Sequence, residues 1–442
     1  MRVAQRRPLS LHQTQRGWPS LHRKCPAPVS AGGRELGRDY TKLWLGNATS
    51  NLGDGVMFVA APLLASMLTE NPLLVAGVSV AYTLPRIFTS MVTGVLVDRA
   101  DRRMLMVSVN AARAVLTALL GCGVLFGFAS LWFLYAVFVG LGVLETAADN
   151  SAFALLPSVV ADEQLDRANA RIVSAQLVAD EFVGPPLGGF LFGVAAALPI
   201  LFDAATFAGA AICVLLLRGR FREHTERRTS RTTVWRDMAS GVRLLRRHPL
   251  LKWLTVMFGL VSIAYMIPFS VLVLFAQDRL GLREVGYGFL LAASALGGLL
   301  GTAVAERARR RLGRGTTTLA AVALGGLAYL VIATTTNVVL VGAMLALYIF
   351  HAVVWSVSVT SLRQELIPDD LRGRVNGAHK TIGLIGLTCG APIGGLLAPE
   401  FGLTAPFWVA GALLLVVALA FVRVLDNAAI ERARSAKRAH SR

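Results

Sequence analysis

The sequence predicts an all-α membrane protein of twelve transmembrane helices in two pseudo-symmetric six-helix bundles, and three observations predict it. The first is composition: of 442 residues 55% are hydrophobic and 16% charged, with a mean hydropathy of +0.60. Soluble domains carry about 25% charged residues, so this chain has too little polar surface to cover its own cores and needs lipid as part of its solvent. The second is the recurrence of apolar runs of membrane-crossing length. The third is a set of marks in the first half that returns six helices later.

The apolar runs place helices near 43–68, 72–97, 104–126, 130–155, 168–192, 197–217, 250–276, 285–305, 315–334, 338–361, 377–398 and 404–425. Each is close to the ~20 residues needed to cross the hydrocarbon core. With the N-terminus inside, all but four of the 44 Lys and Arg fall in cytoplasmic segments. Arg279 and Arg283 lie in external loops; Arg86 and Arg113 lie within spans. This asymmetry predicts both termini in the cytoplasm, an even number of crossings and a plasma- or inner-membrane location. It also accounts for the net charge of +18 as topology, with the bilayer rather than nucleic acid as the partner.

Residues 1–38 are rich in Arg, Pro and Ser, and Glu35 is their first acid. They read as a disordered basic cytoplasmic tail; an organellar transit segment is the lesser reading, and the apolar core of a secretory signal is missing. The organisation is then an N-terminal bundle over 39–217, a basic cytoplasmic loop over 218–249, a C-terminal bundle over 250–425 and a basic cytoplasmic tail over 426–442. Cys25, Cys122, Cys213 and Cys389 are isolated, which indicates neither a zinc site nor a disulfide framework. No HExxH, GxSxG or GxxxxGK[ST] stands out, so neither a membrane enzyme nor ATP-driven transport is supported. No catalytic residue, metal or cofactor is expected, and the chain is expected to act as a monomer on a small-molecule substrate.

The repeat is specific. Leu156-Pro157, Arg167-Ala168-Asn169 and Gly184-Pro185-Pro186-Leu187-Gly188-Gly189 in the first half return as Ile367-Pro368, Arg374-Val375-Asn376 and Gly390-Ala391-Pro392-Ile393-Gly394-Gly395 in the second. Duplicated halves of this kind are the sequence mark of many transporter folds.

The loop after the second span reads Gly94-Val95-Leu96-Val97-Asp98-Arg99-Ala100-Asp101-Arg102-Arg103. It resembles the GxLaDrxGrr loop signature of the major facilitator superfamily, with Asp101 in place of the usual second glycine. The resemblance implies that Gly94, Asp98, Arg99, Arg102 and Arg103 form a conformational latch. There the acid meets a helix N-terminus across the interface between halves, and the basic residues anchor at headgroups. The counterpart in the second half, Gly301 with Glu306-Arg307-Ala308-Arg309-Arg310, is degenerate. Gly184, Pro185, Gly188 and Gly189 look like the core of the superfamily's antiporter motif, with Arg171 and Asp180 at its upstream glycine positions. Gly377, Gly386, Gly390, Gly394 and Gly395 keep its spacing nearly complete, with Ala391 in place of the proline. Glycines four apart let helix backbones approach closely, and proline bends the helix.

Residues 152–157, Asn169, Gly184–Gly189 and Asn51-Leu52-Gly53-Asp54 resemble a narrower branch, the third drug:proton antiporter group, which includes macrolide-efflux and siderophore-export proteins. The resemblance covers roughly residues 40–425. The Arg-containing motif of the fourth helix in other drug antiporters is missing, Ala136 standing where its Arg would be, so their proton-relay scheme does not carry over.

Ionisable groups at mid-helix cost at least ~2.5–3.5 kcal/mol each, so each needs a reason. The first half has most of them: Asp54, Arg86, Arg113, Glu145 and Asp149 (four apart, hence on one face), the adjacent Asp180 and Glu181, and Asp203 near an outer helix end within reach of water. The resemblance implies that the first, fourth, seventh and tenth helices line a central cavity. Asp54, Glu145 and Asp149 are then candidates for proton coupling or substrate contact, with Asp180, Arg86 and Arg113 beside them. The alternative is an ion-pair network that only ties helices together, with Arg113 snorkelling toward the inner surface. In the second half Tyr265, His351 and Trp355 are candidates for an aromatic, nearly uncharged cavity wall suited to an amphiphilic, cationic substrate; the alternative is ordinary packing within the bundle, where a lone His more often hydrogen-bonds a neighbour.

The function these residues favour is secondary active efflux, an antiport of a small amphiphilic compound such as an antibiotic or secondary metabolite, driven by the proton gradient through alternating access. The alternatives are an uptake symporter of the same fold and a non-transporting membrane sensor or scaffold.

Overall fold

Lipid offers no hydrogen bonds to the backbone, so runs this apolar satisfy their own N–H and C=O groups as helices. The computed structural model describes residues 36–99, 101–217, 243, 249–367 and 372–425, and these are helical throughout their ordered elements, with no strand among them. The N-terminal tail before Leu36, most of the central loop and the C-terminal tail after Leu425 lie outside the described residues.

The first half comprises α1 (Arg38–Leu68), α2 (Pro72–Arg99), α3 (Arg102–Leu125), α4 (Leu131–Val159), α5 (Leu165–Val194) and α6 (Ala197–Leu215). The second comprises α7 (Leu250–Arg279), α8 (Glu284–Leu312), α9 (Arg314–Thr334), α10 (Val338–Leu366), α11 (Arg372–Phe401) and α12 (Ala405–Ala420). Eleven of these are long and apolar enough to cross a membrane, and α12 is a shorter apolar helix of 16 residues. Residues 421–425, expected as its last turn, form turns instead.

The order of neighbours is the same in both halves. In the first, α1 packs on α6, α6 on α3, α3 on α4 and α4 on α2, with α5 against α1; in the second, α7 packs on α12, α12 on α9, α9 on α10 and α10 on α8, with α11 against α7. The halves meet through α2 with α11 and α5 with α8. The repeated motifs thus correspond to a repeated three-dimensional arrangement.

Two helices are interrupted. In α5 a π-helical stretch, Val178–Val183, runs directly into Gly184-Pro185-Pro186. The prolines supply no N–H to the carbonyls one turn before them, and the wider turn accommodates that loss. In α7 the chain breaks after Pro268 and ends in a π-helical turn, Phe275–Arg279.

The halves lie close together at the end remote from the basic loops. A Cβ on Gly189 of α5 would stand 2.5 Å from the Glu284 carbonyl oxygen, and one on Gly395 of α11 2.6 Å from Leu73 Cα of α2. Gly288 of α8 packs against the Pro185 carbonyl, and Phe58 of α1 stacks on Phe269 of α7 with centroids 5.2 Å apart. Midway along, Thr388 of α11 donates to the Thr83 hydroxyl of α2 at 2.9 Å. Toward the basic loops the same helices part: no residue of α5 from 169 to 178 is buried, and most of α8 beyond Leu299 is exposed.

The loop between α2 and α3 shows why Asp101 replaces a glycine. Its carboxylate caps the N-terminus of α3, accepting from the N–H groups of Arg103 at 3.0 Å and Met104 at 3.1 Å. Arg103 donates to the Leu215 carbonyl at the end of α6, and Arg102 is partly buried. Gly94, Asp98 and Arg99 belong to the last turns of α2, whose side chains lie outside the described residues. In the degenerate counterpart, Glu306 pairs with Arg309 and with Arg310 one turn along α8.

Candidate functional site

The site is built on glycines. Gly53 of α1 packs against Asp203 and Thr206 of α6, and Gly55 packs against the Asp180 backbone of α5, at 2.8 Å from a Cβ built on it. Gly184 returns the contact: its Cβ would lie 2.6 Å from Gly55 Cα. Bare backbones on both sides bring α5 and α6 onto α1, and Asp54 sits between these two seams.

Arg113 of α3 reaches into this junction. Its Nη2 stands 2.6 Å from Asp54 Oδ1 and 2.6 Å from Glu145 Oε2 of α4, so one guanidinium bridges three helices. The guanidinium also lies over the Phe207 ring of α6, 3.9 Å from its centroid. Arg113 is 3% exposed, so it does not snorkel toward the surface; the two carboxylates hold it inside the bundle instead. Asp54 keeps 29% of its side chain accessible and opens onto a narrow cleft of about 40 Å³, lined also by Asn47, Ser50, Asn51 and Asn110. The cleft runs from the bridge toward the basic end.

Asp203 departs from expectation. It is 1% exposed rather than in reach of water, because Gly53 leaves room for its carboxylate, which accepts from the Thr206 hydroxyl at 3.3 Å. Asp180 lies in the π-helical stretch of α5, and its Oδ1 is buried without a hydrogen-bond partner among the described residues. Arg86 of α2 lies against the Tyr82 ring, 5.0 Å from its centroid. The Asp149 side chain is outside the described residues. The structure thus joins Asp54, Arg113 and Glu145, and sets Asp203 and Asp180 on the glycine seams at either side.

In the second half the expected aromatic wall is rearranged. His351 is 0% exposed and points away from the space between the halves: a Cβ on Gly325 of α9 would stand 2.5 Å from its ring, which meets Tyr348 edge-on at 4.4 Å. The missing side chain at Gly325 draws the imidazole into the bundle interior, so His351 is no part of a cavity wall. Tyr265 is half-buried and stacks between Phe269 at 5.1 Å and Tyr348 at 6.1 Å, continuing the column that reaches Phe58 of α1. Trp355 is buried and stacks on Phe258 of α7. Sequence reasoning missed Arg363 and His379, which it counted with loops or passed over; both are buried inside α10 and α11. Their one sequence signal was position, each within a turn or two of an apolar run's end.

Of the α11 motif glycines, four meet a neighbouring backbone and Gly377 does not. Gly386, Gly390 and Gly394 seat α11 on the α7 backbone, the first two with would-be Cβ distances of 2.6 Å to the carbonyls of Gly259 and Ile263. On α5, Gly188 packs against the Val56 carbonyl of α1. Gly377 has nothing within 4 Å and stands exposed in the parted region. Among the described residues no three His, Cys, Asp or Glu side chains gather as a metal site.

Comparison with known proteins agrees with this architecture. Multidrug efflux pump Tap of Mycolicibacterium fortuitum is 27% identical over 366 residues, covering 81% of this chain and 89% of that protein. Enterobactin exporter EntS of Shigella boydii is 26% identical over 406 residues, covering 87% and 91%. The crystal structure of a bacterial homologue of the iron transporter ferroportin in its inward-facing state superposes with a TM-score of 0.69 at 20% identity, covering 89% of this chain and all of that one. The same homologue in its outward-facing state gives 0.58. The Major Facilitator Superfamily profile matches residues 43–386 and 339–442, and with two six-helix halves joined through α2–α11 and α5–α8, this multi-pass membrane chain belongs to that superfamily of transporters.

Proposed function

We propose that this chain is a proton-coupled exporter of a small amphiphilic compound, such as an antibiotic or secondary metabolite, placed in the cell membrane with both termini cytoplasmic. The observation that carries the reading is the single guanidinium of Arg113 shared between Asp54 and Glu145. One Arg neutralises one carboxylate. With one guanidinium shared by two carboxylates in surroundings of low dielectric, a proton or a cationic group can replace it at either acid. Proton and substrate then compete for the same charge, which is the condition for exchange. Asp54, the more accessible partner, carries the proton or meets substrate; Glu145 and Arg113 hold it in place, with Asp149, Asp180 and Asp203 as further carboxylates on the path.

Alternating access uses the seams. In the arrangement described here the halves close at the outer end and part toward the basic, cytoplasmic end. The higher TM-score against the inward-facing state of the ferroportin homologue supports that assignment. Rocking the halves about the Thr83–Thr388 level closes α5 on α8 at the inner end and opens Gly189 and Gly395 from their partners. The loop motif of Asp98 and Arg99 latches one of the two states. The names of Tap and EntS favour export as the direction.

The test uses inverted membrane vesicles containing the protein, energised so that a dye reports the pH gradient, with a panel of amphiphilic antibiotics and siderophores added in turn. A compound that dissipates the gradient with wild type and not with Asp54→Asn at equal expression supports the proposal. Equal responses of the two proteins remove Asp54 from the coupling path. No response to any compound, together with substrate accumulation by whole cells, would favour the uptake symporter.

A further inference from the structure

We propose that Arg363, His379 and the aromatic rings beside them form a subsite for an aryl carboxylate group of the transported compound, at the parted end of the C-terminal half. Arg363 is on the last turn of α10, 9% exposed, and its Nε and Nη1 are buried without a hydrogen-bond partner among the described residues. No carboxylate pairs with it there: Glu365, two residues on, is turned to Arg314 of α9 at 2.7 Å. An unpaired buried guanidinium is costly and persists where something else supplies its acceptors.

The neighbours supply no acceptor of comparable strength. His379 of α11 is buried, has the Arg363 charge as its charged neighbour, and is turned to the Thr255 hydroxyl of α7, 3.4 Å from Nδ1. Its ring stacks on Phe258 with centroids 4.1 Å apart and planes 11° from parallel, and Phe258 in turn stacks on Trp355 at 5.7 Å and 13°. The Trp355 Nε1 is also buried and unpartnered among the described residues. The cluster therefore offers unsatisfied donors at both ends of a flat aromatic row. A planar anion fits this chemistry: carboxylate oxygens take the parallel N–H groups of the guanidinium fork, and an attached aromatic ring lies along the row. Gly377 and Lys380, on either side of His379 along α11, are exposed, so the rim of the cluster opens into the parted region. The role in transport rests on the export reading above; the binding does not.

The subsite gives the substrate a second handle. The first half presents the carboxylates Asp54 and Glu145, the second the guanidinium of Arg363. A compound with a basic group and an aryl carboxylate spans the two halves.

The test is saturable binding of benzoate to the purified full-length protein in detergent, read by tryptophan fluorescence and by thermal stabilisation, with benzamide as the neutral isostere. Wild type is expected to respond to benzoate and not to benzamide, and Trp355→Phe, which removes both the reporter ring and one donor, to lose most of the fluorescence change and part of the stabilisation. Arg363→Gln is expected to weaken benzoate binding about tenfold or more, the scale of a charge-assisted hydrogen bond. Arg363→Lys, which keeps the charge at the helix C-terminus but not the fork, is expected to fall between. Size-exclusion profiles identify any variant that fails to fold, in which case Arg363→Lys and the benzamide comparison decide. No saturable response of wild type, equal responses to benzoate and benzamide, or full affinity in Arg363→Gln overturns the proposal. A purely internal tie from Arg363 to Asp369 or Asp370, which lie outside the described residues, would give the first of these results. A failure here leaves the vesicle experiment on Asp54 unaffected, and a failure there leaves benzoate binding to stand or fall alone.

Discussion

Replacing Arg113 by Met removes the shared cation and leaves Asp54 and Glu145 facing each other inside the bundle. Met has nearly the length of the Arg stem, so the loss is mainly electrostatic. Removing one member of a buried ion pair costs about 3–5 kcal/mol, because the remaining charge is uncompensated. Two acids now share that fate, both held within 2.6 Å of the missing guanidinium nitrogen, and the 3.9 Å contact with Phe207 is lost as well. The upper part of the range is therefore expected. At roughly 2 °C per kcal/mol, the scale for large chains, the midpoint of thermal unfolding in detergent falls by about 8–10 °C. The decisive comparison is Arg113→Met with Asp54→Asn and Glu145→Gln added. Neutralising all three members leaves no charge at the bridge itself, and most of the lost stability returns, to within about 1–2 kcal/mol of wild type. The triple variant is expected to be stable and unable to exchange protons. A single variant as stable as wild type, or a triple variant less stable than the single one, would refute the bridge as drawn.

Other expectations follow from distances. Gly184→Val places methyl groups where Gly55 carbons already stand at 2.6 Å, so it is expected to destabilise by about 1–3 kcal/mol or more and to lower folded yield on size exclusion. Gly377→Ala, with nothing within 4 Å, is expected to be neutral or up to about 0.5–1 kcal/mol stabilising, by the helix preference of Ala over Gly, on the same thermal assay. Thr388→Val removes the hydroxyl contact to Thr83 and is expected to shift the balance of the two states by about 0.5–1.5 kcal/mol, read as a changed distance distribution between spin labels on α5 and α8. Asp101→Ala loses the cap of α3 and is expected to cost about 0.5–2 kcal/mol without changing which compounds are transported, measured by unfolding and by vesicle assay.

Much of the architecture is legible along the chain because lipid imposes it. A run of some twenty apolar residues has one stable backbone form in hydrocarbon, so the crossings follow from composition. The glycine spacings were equally direct: Gly184, Gly188, Gly386 and Gly390 all seat one helix backbone on another. The repeat of Leu156-Pro157 and Ile367-Pro368 anticipated the shared order of neighbours in the two halves.

The candidate site was legible as a list of charges and not as a set of partners. That Asp54, Arg113 and Glu145 meet depends on three helices whose residues are 59 and 32 positions apart in the chain, and on α6 lying close enough for Phe207 to floor the guanidinium. His351 was misplaced and Arg363 overlooked for one reason. Helical spacing fixes which residues share a face, but which face turns to the bundle interior is set by where neighbours are thin, as at Gly325. The sequence by itself determined a membrane chain of paired six-helix halves with acids concentrated in the first, since these follow from solvent and spacing. Only the tertiary structure decided which acid meets which base, that Asp203 is sealed from water, and that the second half holds a buried cation, since those depend on the packing of helices distant in sequence.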